Sequence, residues 1–180
     1  MLPVALFPTV PTLRTERLDL VPLGPEHLDG TLAVLSDPDA MRLTGTRATF
    51  TRDGVSSWLS SLAARHDRAD WAVIRREDGV HLGEAVLNDY SPEDETMGFR
   101  IALALAHTGV GYGTEATRAV VAVALEAGLH RVELEVYSFN PRAARAYEKA
   151  GFVEEGRRRE ALLWDGERVD AIMMAVVASD

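Results

Sequence analysis

Cysteine is absent from the 180-residue chain. Its absence excludes disulfide bonds, a cysteine nucleophile and a thiolate metal site. A chain without cysteine fits a reducing compartment, so we expect the protein to work in the cytoplasm. The remaining composition, with 47% hydrophobic and 26% charged residues, is typical of a globular protein.

Long hydrophobic runs are also missing, since no stretch approaches the roughly 20 apolar residues that a membrane span needs. The first residues carry no basic charge, and Pro3 and Pro8 interrupt their apolar run. A secretory signal has a basic start and an unbroken apolar segment, so none is expected here. The sequence therefore predicts no membrane partner.

Basic residues are fewer than acidic ones, with 19 Lys and Arg against 28 Asp and Glu, which gives a formal net charge of -9. Sequence-independent nucleic-acid binding depends on neutralising phosphates, so no nucleic-acid partner is expected. Acidity favours a cationic acceptor such as an amine, although it also serves simply to keep a protein in solution. The five histidines are scattered without metal-ligand spacing, and no metal site is predicted.

Hydrophobic periodicity predicts an N-terminal arm over residues 1–12 and a single domain over residues 13–180. The predicted strands cover residues 17–22, 71–74, 82–87, 97–103, 131–137, 152–164 and 167–177. Two helices are expected after the first strand. A third helix is expected before the fifth strand, and a fourth after it. A helix between the fourth and fifth strands implies a parallel crossover, whereas the short turns elsewhere imply antiparallel pairing.

We therefore expect an α/β domain of the α+β type, with about seven strands in a mixed, mostly antiparallel sheet flanked by about four helices. Neighbouring strands can splay apart at the one parallel junction. Local signals mark several boundaries: Thr51 and Asn140 as N-caps, Asp37-Pro38 as a helix stop, and Asp165-Gly166 as a hairpin turn.

Three glycines alternate at Gly109, Gly111 and Gly113, where a predicted strand leads into a predicted helix. Glycine leaves backbone N–H groups open to a ligand. A helix N-terminus adds unpaired donors and roughly half a positive charge. The segment therefore predicts a cradle for a pyrophosphate, to which Thr114 would add a hydroxyl donor.

Other interpretations of this loop fit less well. The Walker pattern needs Gly-Lys-Ser/Thr, and the loop has no lysine. The dinucleotide fingerprint has Gly-x-Gly-x-x-Gly within a βαβ unit, whereas here the spacing is Gly-x-Gly-x-Gly after antiparallel strands. A nicotinamide-dependent redox protein is therefore disfavoured. The remaining alternative is a flexible loop whose glycines serve only to turn the chain.

Three segments in order resemble motifs of the GNAT superfamily of N-acetyltransferases, especially the branch similar to ribosomal-protein N-terminal (alanine or serine) acetyltransferases. Residues 13–18 look like the N-terminal strand of the family. Residues 109–116 resemble its coenzyme A pyrophosphate loop, and residues 140–152 resemble its second motif. The resemblance covers residues 13–177, and three motifs in order are more specific than any one alone.

This resemblance implies acetyl-CoA as the cosubstrate, wedged between the fourth and fifth strands. The pantetheine would pair with the backbone of Ile101, Ala102 and Leu103, and Asn140 would also contact the cofactor. The loop amides that would hold the pyrophosphate belong to Gly109, Val110, Gly111, Tyr112, Gly113 and Thr114.

The loop departs from the family pattern at two positions. Relatives often carry Gln or Arg at the position of Thr108 and a basic residue at the position of Val110. Pyrophosphate binding would then rest on backbone donors and the helix dipole, which predicts a weaker affinity for the cofactor. Glu115 would repel a diphosphate unless its side chain points away.

Tyr147 is similar to the tyrosine that serves as general acid in many GNAT enzymes. The pKa of a phenol, near 10, is close enough to that of a thiol to share a proton with it. The alternative is a helix-face tyrosine packed in the core. Asn140 would likewise be explained by capping alone.

The general base has several candidates. Glu95 lies at the start of the fourth strand, near the usual glutamate of the family, and Glu84 lies within the third strand, where burial would raise its pKa. Asp89 and Glu160 are weaker candidates. A chain of water molecules is a further route for the proton.

The leading hypothesis is an acetyl-CoA-dependent N-acetyltransferase that acts by direct transfer in a ternary complex. The acceptor would be a protein N-terminus or a small amine, between which motifs on the cofactor side do not choose. The alternative is an acyl-CoA-binding domain without turnover, against which Tyr147 argues. An exposed strand edge near the C-terminus permits a homodimer without requiring one.

Overall fold

The structure is a computed structural model that describes residues 5–179. Within this range the chain forms eight strands and five α-helices, and the expected α+β fold class is confirmed. The strands are β1 (Leu13–Arg14), β2 (Leu18–Pro22), β3 (Ala69–Arg75), β4 (His81–Ser91), β5 (Thr96–Leu103), β6 (Arg131–Tyr137), β7 (Val153–Trp164) and β8 (Glu167–Val177). The helices are α1 (Leu28–Leu35), α2 (Pro38–Thr44), α3 (Arg52–Ser61), α4 (Tyr112–Glu126) and α5 (Pro141–Lys149). None of the helices in residues 5–179 is long and apolar enough to cross a membrane.

All eight strands belong to one sheet in the order β1-β2-β3-β4-β5-β6-β8-β7. Every neighbouring pair is antiparallel except β5 and β6, which are parallel. Helix α4 connects these two strands, because a parallel pair needs a crossover connection. The single parallel junction expected from the sequence is confirmed.

Strands β5 and β6 splay apart at this junction. Only three residue pairs join them, ending with Gly98 opposite Glu133. Beyond that pair, β5 stays bound to β4 as far as Leu103, and β6 stays bound to β8 as far as Tyr137. The two halves of the sheet therefore separate over residues 99–103 and 134–137, leaving one strand edge free on each side of a gap.

The two faces of the sheet carry separate cores. Helices α4 and α5 cover one face, where fully buried Trp71, Val120 and Phe99 belong to the larger hydrophobic cluster. Helices α1 and α3 cover the other face, where Val55 and Leu59 pack against Ala72. Side chains alternate along each strand, so neighbours such as Trp71 and Ala72 serve opposite cores.

One helix was not expected, because Asp37-Pro38 was interpreted only as a stop. The Asp37 carboxylate accepts hydrogen bonds from the backbone N–H groups of Asp39 and Ala40, at 2.9 and 3.2 Å, and so caps α2. Pro38 occupies the first turn, where its missing N–H costs nothing. The same two residues therefore end α1 and begin α2, which ends at Gly45 in a left-handed conformation.

The predicted arm over residues 1–12 is described from residue 5 onwards, and residues 1–4 lie outside the described range. Leu6 is buried, and the Phe7 ring meets the Trp71 ring edge-to-face at 6.1 Å. The Trp71 indole N–H also donates to the Pro11 carbonyl oxygen at 2.7 Å. The described part of the segment is therefore packed on the sheet, and the boundary between arm and domain stays a prediction.

Candidate active site

The gap between β5 and β6 opens into a cavity of about 830 Å³. Its walls come from the free edges of β5 and β6, α5, α2 and the end of β4. The segment of residues 109–114, called the glycine loop below, completes them. Pockets that bind small ligands in proteins commonly measure about 300–1,000 Å³, so the cavity has the size of a ligand site. The cavity lies where the hydrogen bonds between β5 and β6 end.

The glycine loop lies at one end of this cavity. Gly109 and Gly111 have φ angles of 84° and 93°, in the left-handed region that favours glycine. Helix α4 begins at Tyr112, and its first backbone hydrogen bond runs from Glu115 to Gly111. The N–H groups of residues 112–114 therefore have no partner within the helix, and the positive end of the helix dipole lies beside them.

The predicted cofactor-binding residues fall into two groups. Val110 and Tyr112 do not line the cavity: Val110 is 57% exposed, and the Tyr112 ring packs against the core. The other eight all line it, namely Ile101, Ala102, Leu103, Gly109, Gly111, Gly113, Thr114 and Asn140.

Glu115 is turned away from the loop. Its carboxylate accepts hydrogen bonds from the Thr15 hydroxyl at 2.6 Å and from the Arg17 backbone N–H at 2.8 Å. The Arg17 guanidinium adds an ion pair at 2.7 Å. Burial raises the pKa of Glu115, but these bonds outweigh burial and bring the pKa below its ordinary value. Glu115 therefore fixes the loop to the turn before β2 rather than facing a ligand.

Arg17 is a cation beside the loop that sequence patterns did not single out. Its guanidinium donates to the Val110 carbonyl oxygen at 3.0 Å and lies 4.7 Å from the centre of the Tyr112 ring. A Cβ placed on Gly111 would come within 3.2 Å of its Nη2 atom. Arg17 and Glu115 together hold the loop against β2.

Asn140 and Tyr147 bring α5 to the cavity wall. The Asn140 side chain accepts a hydrogen bond from the Ala143 backbone N–H at 3.2 Å, so it caps the helix while lining the cavity. Tyr147 is buried between Phe99 and Phe152, with ring centres 6.3 and 5.9 Å away. Burial raises the pKa of Tyr147 to about 12, against the opposing charge of Arg100. The phenol therefore keeps its proton at neutral pH.

Neither predicted carboxylate base lines the cavity. Glu84 is buried within β4, where its carboxylate lies 3.2 Å from the His81 ring. Glu95 lies in the turn between β4 and β5 with a φ of 55°, and its carbonyl oxygen accepts from the backbone N–H groups of His130 and Arg131. The structure therefore brings neither side chain together with Tyr147.

Asp89, which was a weaker candidate, does line the cavity. It has a φ of 54°, an uncommon value for a residue other than glycine. Its carboxylate accepts a hydrogen bond from the Asn88 amide at 2.8 Å. The buried Asn88 side-chain oxygen has no hydrogen-bond partner within residues 5–179. Backbone conformations of this kind concentrate at functional sites, where the surrounding structure holds them.

A family profile for the acetyltransferase (GNAT) domain matches residues 17–153. This match covers β2, the splayed strands, the glycine loop and α5. The chain is a member of the GNAT family.

A sequence relative of this GNAT protein is the FsC-acetyl coenzyme A-N(2)-transacetylase of Aspergillus fumigatus. It is 32% identical over 144 residues, which are 72% of this chain and 60% of that enzyme. The chain therefore spans less than two thirds of the length of this relative.

Solved structures show the same GNAT fold. The spermidine N-acetyltransferase from Vibrio cholerae, in complex with CoA and spermine, has a TM-score of 0.83 at 22% identity, covering 92% of this chain and 98% of that one. The ribosomal-protein-S5-alanine acetyltransferase from Vibrio fischeri has a TM-score of 0.79 at 17% identity, covering 94% and 98%.

This GNAT cavity has no metal centre among the residues described. Within residues 5–179, no three side chains of the kinds that bind metals lie close enough together to hold an ion. The cavity offers a ligand backbone N–H groups, a protonated phenol and charged side chains, which belong to Arg47, Asp89, Arg100, Glu133, Glu135, Arg142, Arg145 and Lys149.

Proposed function

We propose that this GNAT protein transfers an acetyl group from acetyl-CoA to a primary amine by direct transfer in a ternary complex. The observation that carries the proposal is the cavity in the gap between β5 and β6, with an anion cradle at one end and the Tyr147 phenol in its wall. The acceptor is a small amine or a protein N-terminus, and the cytoplasm is the proposed compartment.

The cradle and the strand edge fit the two polar parts of acetyl-CoA. Free N–H groups in the first turn of α4 suit a pyrophosphate, as anions bind well at helix N-termini. The backbone of Ile101, Ala102 and Leu103 faces the gap, where β6 no longer pairs with it, and suits the amides of pantetheine. When bound, acetyl-CoA supplies an activated acetyl group as a thioester.

Arg17 takes the place of the basic residues missing at Thr108 and Val110. It comes from the turn before β2 and binds the loop backbone at Val110 instead of extending from the loop itself. A loop held in advance loses less conformational entropy when a ligand binds. We therefore propose that Arg17 and Glu115 position the pyrophosphate cradle.

Tyr147 is the proposed general acid. As the amine nitrogen bonds to the acetyl carbon and the carbon–sulfur bond breaks, the Tyr147 hydroxyl gives its proton to the departing sulfur. Asp89 takes the proton that the amine loses and returns it through water to the Tyr147 phenolate, so that both groups end in their starting state. A pKa raised to about 12 by burial keeps this proton in place until the sulfur becomes basic.

Asp89 is the proposed acceptor of the amine proton, directly or through water. Among the described carboxylates that line the cavity, Glu133 lies 2.9 Å from Arg131 and Glu135 lies 3.0 Å from Arg158. Asp89 has no such arginine partner within residues 5–179. A carboxylate already paired with a guanidinium is a weaker base, which favours Asp89.

The named relatives support an amine as acceptor without choosing which amine. Their names refer to N(2)-transacetylation, to spermidine and to the alanine of a ribosomal protein. All three acceptors present an amino nitrogen, which is the feature that the proposed chemistry needs.

Thiol release from acetyl-CoA in the presence of amines tests the proposed function. We expect free CoA to appear only when an acceptor amine is present, with an equal amount of acetylated amine detected by mass spectrometry. Acetyl-CoA should also raise the melting temperature, since a ligand at about 100 times its Kd adds about 2.7 kcal/mol of stability. A melting-temperature shift without acetylation of any amine would instead support a binding domain without turnover.

A further inference from the structure

The cavity passes through the sheet from one face to the other. Phe99 faces α5, because its ring meets the Tyr147 ring edge-to-face. Its neighbour Arg100 therefore points to the opposite face, since side chains alternate along a strand. On that face α2 ends against β6, where a Cβ on Gly45 would come within 2.6 Å of the Tyr137 ring. The cradle for acetyl-CoA thus occupies one face and leaves the α2 face for the acceptor.

The acidic side chains of β6 on this second face are already neutralised. Glu133 pairs with Arg131, and Glu135 pairs with Arg158. Paired carboxylates attract a further cation weakly, because the neighbouring guanidinium repels it. Within residues 5–179, Asp89 is the acidic residue of the cavity wall that has no arginine partner.

Arg100 lines the cavity, and its side chain makes no hydrogen bond or ion pair with any residue between 5 and 179. Its charge is close enough to Tyr147 to oppose the rise that burial causes in the pKa of that phenol. Arg47 also lines the cavity, with its guanidinium 5.5 Å from the centre of the Trp164 ring and no carboxylate partner in the described chain. Among the described residues of the acceptor face, two guanidinium groups therefore lack a carboxylate partner and one carboxylate lacks an arginine partner.

We propose that the acceptor is a free α-amino acid, whose carboxylate binds Arg100 while its amino group reacts beside Tyr147 and Asp89. This inference rests on the proposed acetyl transfer and narrows its substrate. A guanidinium is planar and binds a carboxylate through two parallel hydrogen bonds. Arg100 and Tyr147 line the same cavity, so a carboxylate bound to Arg100 lies in the cavity in which the amine reacts. A polyamine, which carries only positive charge, and a peptide N-terminus, which has no adjacent carboxylate, would leave Arg100 without a partner.

Acetylation of matched acids and amides tests this substrate class. The assay measures thiol release from acetyl-CoA with the natural α-amino acids, their α-carboxamides, spermidine and an alanine-terminated tripeptide. We expect the kcat/KM of at least one amino acid to exceed that of its own amide about 10- to 100-fold. This factor corresponds to the loss of a hydrogen bond to a charged group. Spermidine and the tripeptide should have kcat/KM values as low as those of the amides.

Arg100→Gln should lower kcat/KM for the preferred amino acid by about the same 10- to 100-fold, mainly through KM, and leave its amide unaffected. Arg100→Lys keeps the charge and should restore part of the loss. Arg159→Gln is the matched control, because Arg159 is exposed on β7 and does not line the cavity. It should behave as the wild-type protein does.

Two results would overturn the inference and leave acetyl transfer intact: spermidine or the tripeptide as the best acceptor, or an equal effect of Arg100→Gln on acid and amide. Absence of thiol release with every amine would overturn the inference and the proposed function together. A melting-temperature shift with acetyl-CoA, measured on the same preparations, shows whether the cofactor site remains in that case.

Discussion

At the scale of single residues, Tyr147 combines burial with contact to the cavity. Its ring is fixed by Phe99 and Phe152, and its hydroxyl makes no hydrogen bond to any residue between 5 and 179. The hydroxyl is not fully enclosed, because the buried side-chain atoms without a hydrogen-bond partner within residues 5–179 are those of Thr31 and Asn88. Tyr147 lines the cavity, where a ligand can reach its hydroxyl.

Replacing Tyr147 by Phe tests this use. We expect Tyr147→Phe to lower kcat by about 10²- to 10⁴-fold, the usual contribution of general acid catalysis. The KM for acetyl-CoA and the melting temperature should stay nearly constant, since the ring packing remains. Steady-state thiol release measures kcat and KM, and thermal unfolding measures the melting temperature.

Tyr90→Phe is the control for this substitution. Tyr90 lies on β4 outside the cavity wall, so this variant should keep full activity. A fully active Tyr147→Phe protein would remove Tyr147 from the mechanism.

Residue types and spacing predicted the glycines, Asn140 and Tyr147, which line the cavity, because each belongs to a local pattern. They were not enough for Arg17 and Glu115, which lie 98 positions apart and meet only when β2 packs beside α4. Asp89 was ranked low for a related reason. Its left-handed φ, which turns the side chain to the cavity, follows from the bulge at the end of β4 rather than from a local motif.

At the scale of elements, the glycine loop depends on its left-handed residues. Gly111→Ala would place a Cβ at a φ of 93°, which costs about 1–2 kcal/mol, and within 3.2 Å of the Arg17 guanidinium. We expect lower stability and a higher KM for acetyl-CoA, because the contact between Arg17 and Val110 is disturbed. Chemical denaturation and acetyl-CoA titration measure the two effects.

Gly79→Ala is the matched control for this loop. Gly79 has a φ of 73° in the turn between β3 and β4, and a Cβ there would meet nothing within 4 Å. The stability loss should therefore be similar, while the KM for acetyl-CoA should not change. A KM that shifts equally in both variants, or in neither, would contradict the role given to the loop.

Caps and turns were the elements that the sequence predicted best, since their signals are local. The Thr51 and Asn140 caps and the Asp165-Gly166 hairpin turn are confirmed. Helix α2 was missed because a proline after an acidic residue ends one helix and begins another by the same chemistry. Strand β1 has two residues, too few for a periodic pattern.

At the scale of the whole molecule, the sheet is a continuous structure opened at one crossover. The order of its strands requires a single parallel pair, and that pair holds together for only three residues. The order of strands and helices predicted where the sheet can open, and the family resemblance implied that it opens there. The ligand that occupies the opening depends on the side chains at each of its ends. Those side chains could be identified only from the structure.

Net charge is a whole-molecule property that gives little information about this opening. A formal charge of -9 favoured a cationic acceptor, yet the acceptor face of the cavity has two guanidinium groups without carboxylate partners among the described residues. Local fields in a cleft depend on the few charges that line it and on their pairing. The acceptor class is therefore argued from Arg100 rather than from composition.

Amide hydrogen exchange with and without acetyl-CoA tests most directly whether the gap between β5 and β6 holds the cofactor. If it does, saturating acetyl-CoA should slow exchange in peptides covering residues 101–103 and 109–114, and leave the hairpin turn at Asp165-Gly166 unchanged. Acetyl-CoA that binds and protects other segments while leaving residues 101–103 and 109–114 unprotected would contradict the site.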